Sequence, residues 1–292
     1  MTSLTLAERR DLIDWDPRPL PITTQAALLA LNRSSLYYRP VAPSTEELAL
    51  KRRIDELYTA HPFYGVRKIT ASLRAEGLLV NHKAVARQMR EMGLAAIHPG
   101  PKLRKRGDEQ VTYPYLLRTI RAQYPNHVWG IDITYIRLRS GWLYLVAVLD
   151  WYARYIVSWA LDQSMEVPLV LEAVELALQQ ARPLIWNSDQ GSQFTSMDYT
   201  QRLRAAGVQI SMDGRGRALD NIFTERLWRT IKYEEVYLNE YGSPREARQG
   251  LSAYIEFYNH ERLHQALNYR TPAEVYYQKG EEFPFKSADL LS

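Results

Sequence analysis

"HVWGIDITYIRL" spans residues 127–138 and alternates with period two. Trp129, Ile131, Ile133 and Tyr135 fall on one face, and Gly130, Asp132 and Thr134 on the other. That pattern predicts a β-strand packed through its Trp129 side. Asp132 is the anomaly. A carboxylate in mid-strand is disfavoured, and costly when buried unless it is paired or binds a metal. Small neighbours, Gly130 and Thr134, predict open space beside it. Downstream, "RSG" (139–141) fits a tight turn, "WLYLVAVLD" (142–150) a near-continuous apolar strand and "RYIVSWAL" (154–161) a third. A helix over about 166–181, a strand at 183–186, a helix from Ser196 to Ala206, a strand at 208–212 and a last helix give the order βββαβαβα. This order argues a mixed α/β layer fold with helices over a central sheet.

The chain upstream of this region has a different grammar. Residues 1–123 carry 20 Lys and Arg against 12 Asp and Glu, whereas residues 124–292 carry 17 against 21. A basic front half points to nucleic acid. Residues 22–40 read as two short helices broken near Asn32, with Thr24 and Ser34 as N-caps. Leu48, Ile54 and Leu57 suggest a helix. Ile69 and Leu73 mark a second, ended by Gly77. Asn81 caps a third, with Val85, Met89 and Met92 on one face and Lys83, Arg87 and Arg90 on the other. A helix, a glycine-containing turn and a basic helix make a helix-turn-helix pattern; the competing reading is a small bundle with a solvated basic face. Lys102, Arg104, Lys105 and Arg106 form a charge run in a linker, either on phosphates or solvated.

Composition sets further bounds. The chain of 292 residues is 46% hydrophobic and 24% charged, with net charge +4 and no cysteine. Disulfides and thiolate metal sites are therefore excluded. No apolar run approaches a membrane span, and the N-terminus lacks a secretory pattern, so the expected location is cytoplasmic, with no membrane partner.

Two further carboxylates could meet Asp132. Asp189 lies in "NSDQGSQF" (187–194), just past the strand 183–186, and sites in open α/β sheets gather beyond strand ends. Gly191 and Ser192 are small residues beside that carboxylate. Glu225 lies in "DNIFTERLWRTIKYEE" (220–235), where Asp220 is a candidate N-cap. Phe223, Leu227 and Ile231 share one face of that helix, and Glu225, Arg229 and Lys232 the opposite one. Three carboxylates without sulfur ligands suit Mg²⁺ or Mn²⁺, and two such ions can clamp the attacking and leaving oxygens of a phosphodiester. Each acid also has a structural reading: a hydrogen-bonded buried Asp132, a turn residue Asp189, and a Glu225–Arg229 pair.

"WGIDITY" (129–135), "NSDQGSQF" and "DNIFTERLWRTIK" (220–232) resemble the three catalytic blocks of the Asp-Asp-Glu transposases, nearest to the insertion-sequence-three family. The 35 residues between Asp189 and Glu225 match that family's spacing. "YNHERLHQALNYRTPAEVY" (258–276) resembles its C-terminal signature, and "HPFYGVRKITASL" (61–73) with "VNHKAVARQMREMGL" (80–94) its second-frame helix-turn-helix. The resemblance implies a ribonuclease-H-like, mixed five-stranded sheet with flanking helices, preceded by small all-α helix-turn-helix domains. The expected divisions are a helical segment (1–44), a helix-turn-helix domain (45–97), a basic linker (98–123), a catalytic core (124–280) and a tail (281–292). The implied activity is metal-dependent nicking of element 3′ ends followed by strand transfer. Asp132, Asp189 and Glu225 would hold two Mg²⁺ or Mn²⁺ ions, and Lys232, with Arg229, would contact DNA near the scissile end. Asn221 beside Asp220, Asn187 and Gly191 would support the site. The family usually has His where this chain has Asn187, which can hydrogen-bond but not titrate. Implied partners are terminal inverted repeats, target DNA, further copies of the chain and an upstream-frame protein, in a bacterial, nucleoid-associated setting. Two alternatives stay open: a catalytically inactive DNA-binding remnant or regulator, and a plain ribonuclease-H-type nuclease.

Overall fold

The computed structural model describes residues 5–16, 20–37, 44–96, 113–118, 120–213 and 222–278. The charge run Lys102, Arg104, Lys105 and Arg106, together with Asp220 and Asn221, lies outside them. The chain forms two compact units, Met1–Asp55 and Glu56–Ser292. The cut between these units falls inside a helix, and the helix-turn-helix clusters with the segments that follow it.

The first unit holds α1 (Leu6–Asp11), α2 (Ile22–Leu28), α3 (Arg33–Leu36) and the start of α4 (Thr45–Ala60). Thr5 and Glu8 cap α1 reciprocally,. Ile13, Ala26, Leu31 and Leu36 make a small apolar cluster. The expected break near Asn32 is present, but the expected caps are not. Thr24 lies inside α2, which follows Pro21 and has no side-chain cap, and Ser34 lies inside α3.

In the second unit α5 (Val66–Ala75) and α6 (His82–Glu91) form the helix-turn-helix. Gly77 adopts φ +87° after α5, and Arg74 donates from Nε and Nη2 to the Val80 carbonyl at 3.1 and 2.9 Å, locking the turn. Asn81 caps α6 by accepting from the Lys83 amide at 2.9 Å,.

The sheet comprises β1 (Val128–Arg137), β2 (Trp142–Asp150), β3 (Ile156–Asp162), β4 (Ile185–Ser188) and β5 (Gln209–Met212), in the order β3-β2-β1-β4-β5. The first three run antiparallel, and β1, β4 and β5 run parallel. Helices α7 (Val167–Gln180) and α8 (Met197–Ala205) pack on the face carrying Trp129, Ile131, Val146 and Trp186. On the other face, Val128, Leu145 and Leu149 meet α9 (Ile222–Ile231) and α11 (Pro244–His260); a five-residue π-helix (Lys232–Val236) and short α10 (Tyr237–Asn239) link these two helices. Coverage on both faces explains why β2 reads as continuously apolar. Near the end of α11, Asn259 closes the β3 edge by exchanging hydrogen bonds with the Ile156 amide and carbonyl at 2.9 and 3.0 Å, and α12 (Pro272–Tyr276) ends the described chain's regular structure. Among the described residues no helix is long and apolar enough to cross a membrane.

Candidate active site

Strand register brings the first two carboxylates together. The parallel pairing of β1 with β4 ends at Gly130–Asn187, and Asp132 and Asp189 each stand two residues past that pair. Glu225 enters from the first turn of α9. The three feel one another. Burial, then the charge of Asp189 and, more weakly, that of Glu225 push the Asp132 carboxyl up to about 6,. Two donors oppose that rise: Trp228 Nε1 reaches Oδ2 at 2.9 Å and the Ile133 amide reaches Oδ1 at 2.8 Å. Burial also raises Asp189, against the Gly191 amide bond to its Oδ1 at 2.8 Å. Among the described residues, however, no group of three or more His, Asp or Glu side chains is arranged to hold a metal ion. The acids are gathered, and Asp132 and Asp189 are propped by donors, but the three are not closed into a ligand shell.

Two glycines explain the gathering. A Cβ on Gly130 would sit 2.3 Å from Trp151 Nε1 and 3.1 Å from Thr224 Oγ1. The space beside Asp132 is thus filled, not open: bare backbone at Gly130 lets Trp151 and α9 lie against β1, which places Glu225, the next residue after Thr224, near Asp132. Gly191 is likewise pressed by its own site, since its Cβ would lie 3.0 Å from Asp189 Oδ1. Its small size serves the turn that cradles that carboxylate.

Asn187 differs from expectation as well. It is a fully buried residue of β4, not a loop residue past the strand. Its Nδ2 donates to Asp213 Oδ1 at 2.7 Å, and Gln190 Nε2 donates to the Asp213 carbonyl at 2.9 Å. The pair ties the end of β4 to the residue following β5. Of the expected cations, Lys83, Arg87 and Arg90 are exposed on α6, opposite buried Val85 and Met89. Arg87 approaches Glu91 at 3.7 Å. Arg229 is exposed on α9, and Lys232 Nζ stands 4.5 Å from the centroid of the Tyr135 ring.

Sequence reasoning missed two things. The first is Trp228, which grips Asp132; its place three residues after Glu225 on one helix face was the available signal. The second is what the "HPFYG" segment does. His61 stacks on Phe257 of α11 at 4.8 Å. Lys68 of α5 lies over the Tyr64 ring at 4.6 Å. Beside it, Arg262 makes a bidentate pair with Glu234, both contacts at 2.6 Å, and Tyr254 donates to Glu234 at 2.8 Å. Burial would raise Glu234, but Arg262 outweighs it and holds the carboxyl below the usual range. Burial, then repulsion from Arg262, lowers Lys68 to about 8. The two signature stretches at 61–73 and 258–276 therefore meet each other.

The HTH-like domain family matches residues 45–102, and two integrase core domain families match residues 122–218 and 206–272. The chain is 34% identical over 231 residues to the transposase for insertion sequence element IS629 of Shigella sonnei, covering 77% of this chain and 78% of that protein. It is 34% identical over 247 residues to the transposase for IS904 of Lactococcus lactis, covering 82% and 98%. The fold is shared with the simian T-cell lymphotropic virus intasome, solved with PP2A regulatory subunit B56 gamma, at TM-score 0.50 and 16% identity over 79% of this chain and 76% of that one. Sheet order, converging acids and kinship over about four-fifths of the chain agree: the chain belongs to the insertion-sequence-three family of transposases, Asp-Asp-Glu polynucleotidyl transferases with an integrase core.

Proposed function

We propose that Asp132, Asp189 and Glu225 form the catalytic centre for nicking the 3′ ends of an insertion sequence and joining them to target DNA. The observation that carries this reading is the raised Asp132 carboxyl, pushed up by burial and by the charges of Asp189 and Glu225,. All donors are hard oxygens, which suits Mg²⁺ or Mn²⁺, two ions by analogy with phosphodiester displacement in general. When bound, such ions supply Lewis-acid charge and a more acidic bound water. The chain's own residues do the positioning. Trp228 and the Ile133 amide hold the two Asp132 oxygens in one orientation, and the Gly191 amide does the same for Asp189,. Arg229 and Lys232, along the helix from Glu225, face the DNA backbone near the cut, while Lys83, Arg87 and Arg90 of α6 bind terminal-repeat phosphates or base edges. The run Lys102, Arg104, Lys105 and Arg106 adds phosphate contacts. Holding two ends at once calls for at least two copies of the chain.

The test is strand transfer with Mg²⁺ using Asp189→Asn. Loss of an ion ligand should remove several kcal/mol of transition-state stabilisation, roughly 10³-fold in rate, while DNA binding persists. Activity near the wild-type level sinks the assignment. Hydrolysed ends without any joined product would favour the nuclease reading.

A further inference from the structure

Three residues beyond Asp132, the β1–β2 hairpin carries two aromatic rings in water. Tyr135 is 57% exposed and Trp142 51%. They contact edge to face, with centroids 5.3 Å apart. Both belong to the same sheet face, because Tyr135 pairs with Tyr144 and Trp142 with Arg137 across the hairpin,. Two cations accompany them. Lys232 Nζ lies over the Tyr135 ring at 4.5 Å, and Arg137, exposed, is the cross-strand partner of Trp142. The β1 edge is also unmatched here, since β4 pairs with β1 only as far as Gly130.

Exposed aromatic rings interleaved with cations are how proteins hold unpaired nucleotides: bases stack on the rings and the cations meet the backbone. The distance to the carboxylates follows from two independent rulers. Along β1, Asp132 and Tyr135 are three residues apart, about 10 Å; they point to opposite faces, and Lys232 reaches the Tyr135 ring from the helical run that carries Glu225. Along the helix, Glu225 and Lys232 are seven apart, again about 10 Å. Backbone phosphates repeat at about 3.4 Å per nucleotide along a stacked strand, so the rings lie about three nucleotides from the acids.

We infer that Tyr135 and Trp142, with Lys232 and Arg137, form a stacking platform for an unpaired DNA base about three nucleotides from the bond that is cut. The platform deepens the transposase reading and rests on it for the place of the cut. Its occupant is single-stranded DNA rather than a second copy of the chain, because the rings are bordered by cations and lie on the strand that carries Asp132.

Binding of the full chain, without metal, to two probes decides the matter: a short blunt duplex of arbitrary sequence and the same duplex with a single-stranded 3′ extension. The wild-type chain should prefer the extended probe by about tenfold, the scale of one stacked base. A 2-aminopurine placed stepwise along the extension should report stacking at one position. Trp142→Ala should abolish both the preference and that signal, whereas Trp142→Phe keeps them. Equal affinity of the wild-type chain for both probes overturns the platform and leaves the transposase reading intact. Failure to bind either probe counts against both. A Trp142→Ala chain that keeps the preference but loses mass in sedimentation shows a subunit contact instead, which also overturns it. Should Trp142→Ala not fold, the stepwise 2-aminopurine scan on the wild-type chain still decides.

Discussion

Glu225 and Glu234 are nine residues apart on one continuous helical run, yet their surroundings are opposites. Glu225 lies near Asp132, where burial, then the charges of Asp189 and Glu225, push the carboxyl up to about 6. Glu234 faces Arg262, Lys68 and the Tyr254 hydroxyl, and its own carboxyl is held low. Both glutamates are half-buried. The difference is whether opposite charge and donors outnumber the acids. The chain answers one glutamate with a buried arginine, and places the other where its charge adds to those around Asp132,. That contrast is what the proposed catalytic role of the second group predicts.

The largest effect should come from breaking the satisfied side. Arg262→Ala strands Glu234 in a buried site and should cost about 3–5 kcal/mol in denaturant unfolding. Replacing both partners by apolar residues, Glu234→Leu with Arg262→Met, should recover most of that loss. A single-variant cost below about 1 kcal/mol would mean that the pair behaves like a surface ion pair, and the contrast would fail.

A middle-sized effect should come from the seat of α9. Gly130→Ala forces a methyl to within 2.3 Å of Trp151 Nε1, and overpacking of this kind costs about 1–3 kcal/mol. Because α9 carries Glu225, strand transfer should fall further than stability alone explains. Proportionate loss of the two would show that Gly130 serves packing only.

The smallest effect has the opposite sign. Asp132 is raised from 3.8 to about 6 in the fold, so the unfolded chain binds fewer protons between those values and stability falls as pH rises through about 6,. Asp132→Asn removes that loss. In chelator at pH 7 the variant should be about 1 kcal/mol more stable, less than the full shift allows because the new amide opposes one of the donors from Trp228 and Ile133. The gain should vanish below about pH 4. A variant less stable than wild type at neutral pH would show that Asp132 is a satisfied structural acid like Glu234.

Much of this was legible in the chain. Period-two alternation fixed β1 and marked Asp132 as out of place, and the Asn81 cap and Gly77 stop were readable because capping and φ > 0 are local chemistry. The failures have a common cause. Thr24 and Ser34 looked like caps because their type suits one, but tertiary packing set the helix starts elsewhere. The strand before Asp189 was placed two residues early, since apolar content ended at Trp186 whereas the hydrogen-bond ladder ran on through Asn187 and Ser188. Gly130 was read as leaving room when it is filled by a partner far away, and the pairing of Glu234 with Arg262 joins residues whose separation carries no periodic signal.

The π-helix gives the run from Glu225 to Glu234 one more property. In a regular α-helix, residues nine apart point about half a turn away from each other. The wider turn over Lys232–Val236 resets that angle, so that one end of the run looks to the sheet edge and the other to the docked α5,. The segment thus works as a phase adjuster between two fixed addresses. Length there is the critical variable: side chains exposed along it can vary, but deleting a single residue would turn everything after it by about 100° and leave one of the two acids facing the wrong neighbour.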